Sequence, residues 1–285
     1  MNELVVQALD LTKRYGDVKA VDGLSLEVRR GECLALLGPN GAGKTTTTEI
    51  LEGYRVPDSG TARVLGADPA HGDMDWKSRI GIVMQADRDL GDLSVLEAVS
   101  HFATYYPNPR DPAEVIESVG LAEKARARGD KLSGGQRRRL DVALGVIGRP
   151  EVLFLDEPTT GFDPEARREF WALIDALKAD GTTIMLTTHY LEEAEHLADR
   201  VAVIARGRVI ACDAPDRLGN RSASQAVVTW AEGGQTRSEA TDTPTALIGQ
   251  LSQRFGGEVP EIQVRRQSLE DTYLRLVGDM GEAVL

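Results

Sequence analysis

Cysteine is scarce in this sequence: Cys33 and Cys212 are the two found in 285 residues. They lie far apart in apolar segments and form no C-x-x-C pair, which excludes a disulfide framework and a cysteine-built zinc site. Both are expected to be buried, reduced residues of a cytosolic protein. Long apolar runs are missing as well. A membrane-spanning helix needs roughly 20 predominantly apolar residues, and the best candidates here are short, such as Val142–Gly148. The first residues, MNELVVQALDLTKRYG, have no basic segment leading into an apolar one, so no secretory signal is expected. Basic residues are the minority, 33 Lys and Arg against 45 Asp and Glu, for a formal net charge of −12. That balance argues against a dedicated nucleic-acid binder, whose footprint is a basic surface. The chain is therefore expected in the cytoplasm, and any membrane role must come through a partner.

What remains is ordinary for a globular protein, with 41% hydrophobic and 27% charged residues and enough length for a full core. Five short apolar runs recur: CLALL (33–37), IGIVM (80–84), VLFL (152–155), TIML (183–186) and VAVI (201–204). They are continuous rather than alternating, as in strands covered on both faces, and helical stretches fall between several of them. An α/β fold with a largely parallel sheet follows. Between Gln85 and Pro150 the pattern turns helical. Ser94 and Glu97 make a capping box, Asp111, Pro112 and Glu114 open a second helix, and Gly120 closes it. After about Asp216 a small α+β appendage is expected: a strand at VVTW, a polar stretch, a helix after Thr243-Pro244, a short strand EIQVRR and a final helix from Ser268.

The segment Gly38, Pro39, Asn40, Gly41, Ala42, Gly43, Lys44, Thr45 fits G-x-x-x-x-G-K-[ST], directly after CLALL and before the helical TTTTEILEGY. That strand–loop–helix setting is the one a phosphate-binding loop requires. Its glycines let backbone N–H groups turn inward around phosphate oxygens, and the helix running from Lys44 through Thr46 presents its positive end. Lys44 reaches the outer phosphates and Thr45 offers a hydroxyl to Mg²⁺. The acidic counterpart is VLFLDEP, a buried strand ending in Asp156. Asp156 is placed to enter the Mg²⁺ shell, and Glu157 to polarise an attacking water.

A second glycine-bearing helix start occurs at Leu132, Ser133, Gly134, Gly135, Gln136. Ser133 and Gln136 form a capping box, and the two glycines leave N–H groups uncovered for another phosphate. One nucleotide has no need of two such loops from one chain. LSGGQ together with GPNGAGKT resembles the ABC ATPases over residues 1 to about 215. The resemblance implies a RecA-like P-loop NTPase core (1–215), a helical signature subdomain inserted at about 86–150, and an accessory region at 216–285. It also implies that LSGGQ of one subunit closes over ATP held by another, in a dimer of two such chains, with a homodimer expected. By the same resemblance Tyr15 stacks on adenine, Gln85 touches Mg²⁺ alongside Thr45 and Asp156, Asp163 signals across the dimer, and His189 contacts the γ-phosphate. Catalysis then falls to Glu157, His189 and Lys44. Phe162 stands where leucine is more usual. His189 and His196 do not make a zinc motif, because the spacing is not H-E-x-x-H. The triple arginine Arg137–Arg139 is expected on a solvated or subunit-facing side of a helix whose buried stripe is Leu140, Leu144 and Ile147.

EILEGYRVPDSG, TTHYLEEAE and QSLEDTYLRLVG resemble the ATPases of ABC-2-type exporters, including daunorubicin-resistance and other multidrug systems. That likeness implies a separate membrane permease as partner, bound at the inner face of the cell membrane, and no nucleic acid. The competing classes are a soluble ABC ATPase acting on nucleic acid or the ribosome, and an importer subunit. Long coiled coils, zinc-binding cysteines and a second ATPase core, the marks of the soluble classes, do not occur here.

Overall fold

The computed structural model describes residues 3–84, 92–223 and 225–282, and the chain divides into two units, Met1–Cys212 and Asp213–Leu285. The first unit opens with β1 (Leu4–Tyr15) and β2 (Val18–Arg29), followed by β3 (Cys33–Leu37), α1 (Lys44–Leu51), β4 (Ser59–Val64), α2 (Met74–Ser78) and β5 (Ile80–Val83). Strands β2, β1 and β4 form an antiparallel sheet in that order. The expected parallel core omits this sheet because its strands alternate: Leu24, Leu26 and Val28 are buried while Ser25 and Glu27 between them are exposed. Such a pattern gives one covered face, not two.

The helical segment contains α3 (Val95–Ala103), α4 (Pro112–Ser118) and α5 (Gly134–Val146), which pack on one another. Its caps form as the sequence predicts. Ser94 and Glu97 complete a capping box, Asp111 accepts from the N–H groups of Ala113 and Glu114, and Gly120 turns left-handed at φ 70°. The chain then runs through β6 (Val152–Asp156), α6 (Pro164–Ala179), β7 (Thr183–Thr188), α7 (Leu191–Leu197), β8 (Arg200–Ala205) and β9 (Arg208–Asp213).

All five continuous apolar runs become strands of one six-stranded sheet, ordered β5-β6-β7-β3-β8-β9. The pairs β5·β6, β6·β7, β7·β3 and β3·β8 are parallel. Leu37 lies opposite Thr188, and Asp156 opposite Thr187. The carboxyl ends of β3, β6 and β7 therefore finish level, and the loops after them gather at one edge, where open α/β sheets carry their ligands. One hydrophobic core joins the two sheets, with Phe154, Met185 and Leu36 from the parallel sheet, Leu11 and Val28 from the antiparallel one, Ile50 and Leu51 of α1, and Trp76 of α2.

The second unit holds β10 (Ala226–Glu232), β11 (Gln235–Thr241), α8 (Pro244–Phe255), β12 (Gln263–Arg265) and α9 (Leu269–Glu282). Its sheet runs β11-β10-β12, all antiparallel. The polar stretch after VVTW is itself a strand, β11, folded back by Gly233 and Gly234 at φ 60° and 79°. Every β11 residue from Gln235 to Ala240 is exposed, so no apolar alternation marked it, and the Gly-Gly hairpin was the readable signal. Leu247 and Leu251 of α8 pack on Val228 and Trp230 of β10.

Cys33 and Cys212 are both free thiols. Cys33 is buried, and burial pushes its thiol up to about 12, which leaves it unreactive. Cys212, expected in the core, is only half-buried, because it lies in the outermost strand β9. Among the described residues no helix is long and apolar enough to cross a membrane.

Phe154 is 1% exposed at the centre of the core. Phe154→Ala is expected to cost about 3–5 kcal/mol of stability, read as a lowered urea midpoint. An unchanged midpoint would show that the joint core does not bear on this strand.

Candidate functional site

Between β3 and α1 the backbone is shaped by glycine at two places where nothing larger fits. A β-carbon on Gly38 would sit 2.3 Å from the Ile204 carbonyl oxygen, and one on Gly43 2.2 Å from that of Ala20. Gly43 also holds φ at 102°, a conformation side chains rarely adopt. Pro39, Asn40 and Gly41 are exposed at the crown of the loop, and Ala42 is buried beneath it. Lys44 begins α1 with only 5% exposure, and its Nζ donates to the carbonyls of Gly38 at 2.8 Å and Pro39 at 3.2 Å. Burial holds Lys44 below the usual lysine range, against the opposing pull of Glu157 and Asp156. Thr45 is exposed and Thr46 half-buried on the first turn of α1.

Facing this loop across the sheet edge, β6 ends at Asp156 and the chain turns sharply at Glu157, whose φ is +43°. A non-glycine residue in that region is strained and persists only where surrounding contacts fix it. Here the Glu157 N–H donates to both the carbonyl (3.1 Å) and the hydroxyl (3.0 Å) of Thr187. The same Thr187 hydroxyl donates a short hydrogen bond to Asp156 Oδ1. The carboxylate of Glu157 is thereby set between two cationic or potentially cationic groups. Its Oε1 lies 3.9 Å from Lys44 Nζ and its Oε2 3.3 Å from Nδ1 of His189, with the Thr160 hydroxyl donating to Oε2 at 3.4 Å. Lys44, Asp156, Glu157 and His189 thus come together as the sequence leads one to expect.

The remaining expected residues lie apart from that cluster. Tyr15 ends β1 with 42% exposure, and the Arg55 guanidinium lies 5.4 Å over its ring. Asp163 caps α6, accepting from Glu165 and Ala166 N–H groups at 3.0 and 2.9 Å. Phe162 fills its place by packing edge-on against Phe170. Ser133 and Gln136 form the expected reciprocal cap of α5, with Leu132 buried before it and Gly134 open to solvent. Gly134 and Glu157 line one cleft of about 290 Å³ together with Arg137, Asp141 and Thr160. Among the described residues no hydrogen bond or ion pair joins Leu132–Gln136 to Gly38–Thr46. Gln85 falls outside the described residues.

The arginine run requires a correction. Arg138 is not on a solvated side: it is 8% exposed, and its guanidinium donates to three main-chain carbonyls, Pro158 at 3.2 Å, Asp156 at 2.6 Å and Met84. It ties β5, β6 and the turn after Glu157 to α5. Helical phase was the missed signal, because Arg138 sits four and eight residues before the buried Val142 and Val146. Arg137 and Arg139 are half-buried, and Arg139 pairs with Glu169 of α6.

A second cavity, about 430 Å³, opens between the β5 edge and the helical segment, lined by Glu52, Tyr54, Lys77, Ile82, Phe102 and Tyr106. Glu52 is 8% exposed, and burial, then the charges of Asp156 and Glu49, push its carboxyl up to about 8.

Residues 21–160 match the ABC transporter family. The chain is 39% identical to the daunorubicin resistance ATP-binding protein DrrA3 of Streptomyces coeruleorubidus, over 94% of each chain. It is 41% identical to Nod factor export ATP-binding protein I of Ralstonia nicotianae, over 94% of this chain and 92% of that one. Among solved structures, an ATP-binding subunit of an ABC transporter superposes with a TM-score of 0.71 at 22% identity, covering 95% of this chain and 99% of the other.

Three carbonyls depend on Arg138, and a lysine ammonium has no planar fork to serve them together. Arg138→Lys should therefore lower stability by about 2–3 kcal/mol, the worth of one or two charged hydrogen bonds, in urea denaturation. A wild-type midpoint would remove Arg138 from the framework of the site.

Proposed function

The chain belongs to the ABC transporter family, and from that membership we propose that it binds and hydrolyses ATP to drive a separate membrane permease, in export. The observation that carries the reading is the carboxylate of Glu157 held between Lys44 and His189, at the sheet edge where the phosphate loop opens. The names of the relatives, drug resistance and Nod factor export, support export of a drug, antibiotic or lipid-like compound. Residues 1–215 are the ATPase domain, with the helical signature subdomain inserted at about 86–150, and residues 216–285 an accessory region.

On this reading the N–H groups of Gly38–Thr46 and Lys44 Nζ take the phosphates, and Lys44 exchanges its carbonyl partners for phosphate oxygens. Tyr15 stacks on adenine, its ring steadied from behind by Arg55. The oxygen donors of Thr45, Asp156 and Gln85 suit Mg²⁺, which keeps several waters and needs few carboxylates. Thr187 occupies one oxygen of Asp156 and so orients the other. Mg²⁺, when bound, neutralises charge on the phosphate oxygens. Glu157 accepts a proton from, or orients, the attacking water, and His189 donates toward the charge that develops on the γ-phosphate. Glu157 lies 3.3 Å from His189 and 3.9 Å from Lys44, so the three groups on this reading work from neighbouring positions.

Among the described residues Leu132–Gln136 make no polar contact with this chain's own phosphate loop, and the exposed Gly134 end is open to a nucleotide held by a second subunit. Two chains, arranged head to tail, bind two ATP molecules, with Asp163 at the boundary between them. Hydrolysis removes the bridging γ-phosphate and lets the subunits part. The cavity beside β5, lined by Phe102, Tyr106, Glu52 and Lys77 among others, is the place where the end of a permease helix would dock.

Glu157→Gln should bind ATP, favour a closed dimer on gel filtration, and lose about a hundredfold or more in turnover. Undiminished hydrolysis would remove Glu157 from the mechanism. Affinity purification of tagged chain from detergent-solubilised membranes, with mass spectrometry, should recover a polytopic membrane protein in near-equal ratio. Recovery with ribosomes or nucleic acid instead would leave the ATPase standing and overturn the exporter.

A further inference from the structure

An acid with no counterpart stands at the cavity beside β5. Glu52 caps the C-terminal end of α1, lines the cavity and is 8% exposed. Among the described residues its carboxyl makes no hydrogen bond and no ion pair. Glu32 is buried to the same 8%, yet it pairs with Arg200 Nη1 at 3.0 Å and accepts from the Arg29 N–H at 2.7 Å. Buried polar groups are nearly always satisfied in this way, and one that is not calls for a reason.

The surroundings of Glu52 favour positive charge. Asp156 and Glu49 act on it as further negative charges, and the C-terminal end of a helix is the negative pole of its dipole. Glu49 is already paired with Arg55. Lys77 of α2 is the one cation among the described residues of the lining, but it is exposed and forms no ion pair with Glu52. The rings of Tyr54, Phe102 and Tyr106 complete the wall, and aromatic faces attract cations. Tyr54 is 63% exposed, so the wall is reachable from outside. Among the described residues no cluster of acids, histidines or cysteines is built to hold a metal ion. With about 430 Å³ to fill, the cavity has room for a long side chain.

We propose that this cavity receives a lysine or arginine side chain from the docking helix of the permease, with Glu52 as its counter-charge, an inference that rests on the reading above that a permease helix docks here. A side chain of that kind lays its apolar stem along the aromatic wall and carries its charge to the acid beneath. While no cation is present, burial holds the Glu52 carboxyl up to about 8. A cation beside it favours the charged form, so the proton passes to solvent as the pair forms. The same acid selects among partners. A helix tip with an acidic side chain meets a like charge, and an apolar tip leaves Glu52 buried without a partner, so both are rejected.

The test uses the full chain and the membrane protein that co-purifies with it. A benzophenone amino acid placed at Tyr54 should cross-link to that protein on illumination, and mass spectrometry then identifies the segment in the cavity. A membrane protein that co-purifies without cross-linking from Tyr54 would overturn the docking reading and this proposal with it, as would recovery of no membrane protein. Titrated against the detergent-solubilised protein, Glu52→Gln should bind at least about tenfold more weakly than wild type, as expected when a buried charge pair loses one partner. Changing the lysine or arginine of the cross-linked segment to Met should weaken binding of the wild-type chain to the same degree and of the Glu52→Gln chain no further. Glu52→Gln itself should keep a urea midpoint no lower than wild type, since an amide replaces a carboxyl that has no partner in this chain. A lowered midpoint would reveal such a partner and overturn the proposal. Wild-type Kd in Glu52→Gln, or a cross-linked segment without lysine or arginine, would overturn it too while leaving the docking site in place.

Discussion

Everything at the site depends on the parallel pairing of β3, β7 and β6, which brings their carboxyl ends level. Leu37 opposite Thr188 and Asp156 opposite Thr187 put the phosphate loop, the acidic turn and the histidine side by side. The phosphate loop precedes the acidic turn by more than a hundred positions and the histidine follows that turn by about thirty, so only register joins them. A slip by one residue would turn every side chain to the opposite face. The strands are apolar on both faces, with Leu34, Phe154 and Met185 all buried, so the hydrophobic pattern alone does not choose the register, and contacts at the strand ends such as Thr187 to Asp156 hold it.

That register creates an electrostatic problem which the local geometry resolves. Lys44, Asp156 and Glu157 are brought close together at an edge poor in solvent, and an isolated charge there would be heavily penalised. Lys44 is answered by two carbonyls and Glu157, and Asp156 and the Glu157 backbone are both held by Thr187. Thr187 is a single strand-end residue, yet it supports the strained turn and orients the neighbouring acid. The cost of φ +43° at Glu157 is offset by its N–H, which donates to both the carbonyl and the side-chain hydroxyl of Thr187. The strain aims the carboxylate out of the sheet toward the loop and His189, where a relaxed strand continuation would not take it.

The legible part of this protein was what repeats a local rule. Buried strands announced themselves as CLALL and VLFL, caps as Ser94–Glu97 and Ser133–Gln136, and the phosphate loop as a motif in its required setting. Residues whose duty comes from three-dimensional neighbours were illegible. Arg138 reads as one of three arginines on a solvated or subunit-facing side, though the phase of Val142 and Val146 marks it as buried. The antiparallel sheet was missed because alternating strands such as β2 carry half as many apolar residues. β11 was missed because an edge strand exposed on both faces has no pattern to read. Thr187 gave no signal at all, since a threonine near the end of a buried strand is ordinary in sequence. Only its hydrogen bonds to Asp156 and Glu157 distinguish it.

The site and the cavity beside β5 are mechanically one object. α1 carries Lys44 at its first residue and is capped at its far end by Glu52, which lines the cavity. Eight residues span about 12 Å, and an element so short and so buried transmits a displacement of one end to the other. The opposite wall is held just as directly. Leu144 and Gly145 of α5 border the cavity, while Arg138 on the same helix grips the carbonyls of Asp156 and Pro158 on either side of Glu157. A helix pressed into the cavity would load both walls together. One wall ends at Lys44, and the other at the turn that carries Glu157. On the function proposed above, packed interiors respond to such a load by switching between arrangements rather than by yielding gradually, which would couple occupancy of the cavity to the geometry at Glu157. The coupling needs no messenger beyond two helices and one buried guanidinium.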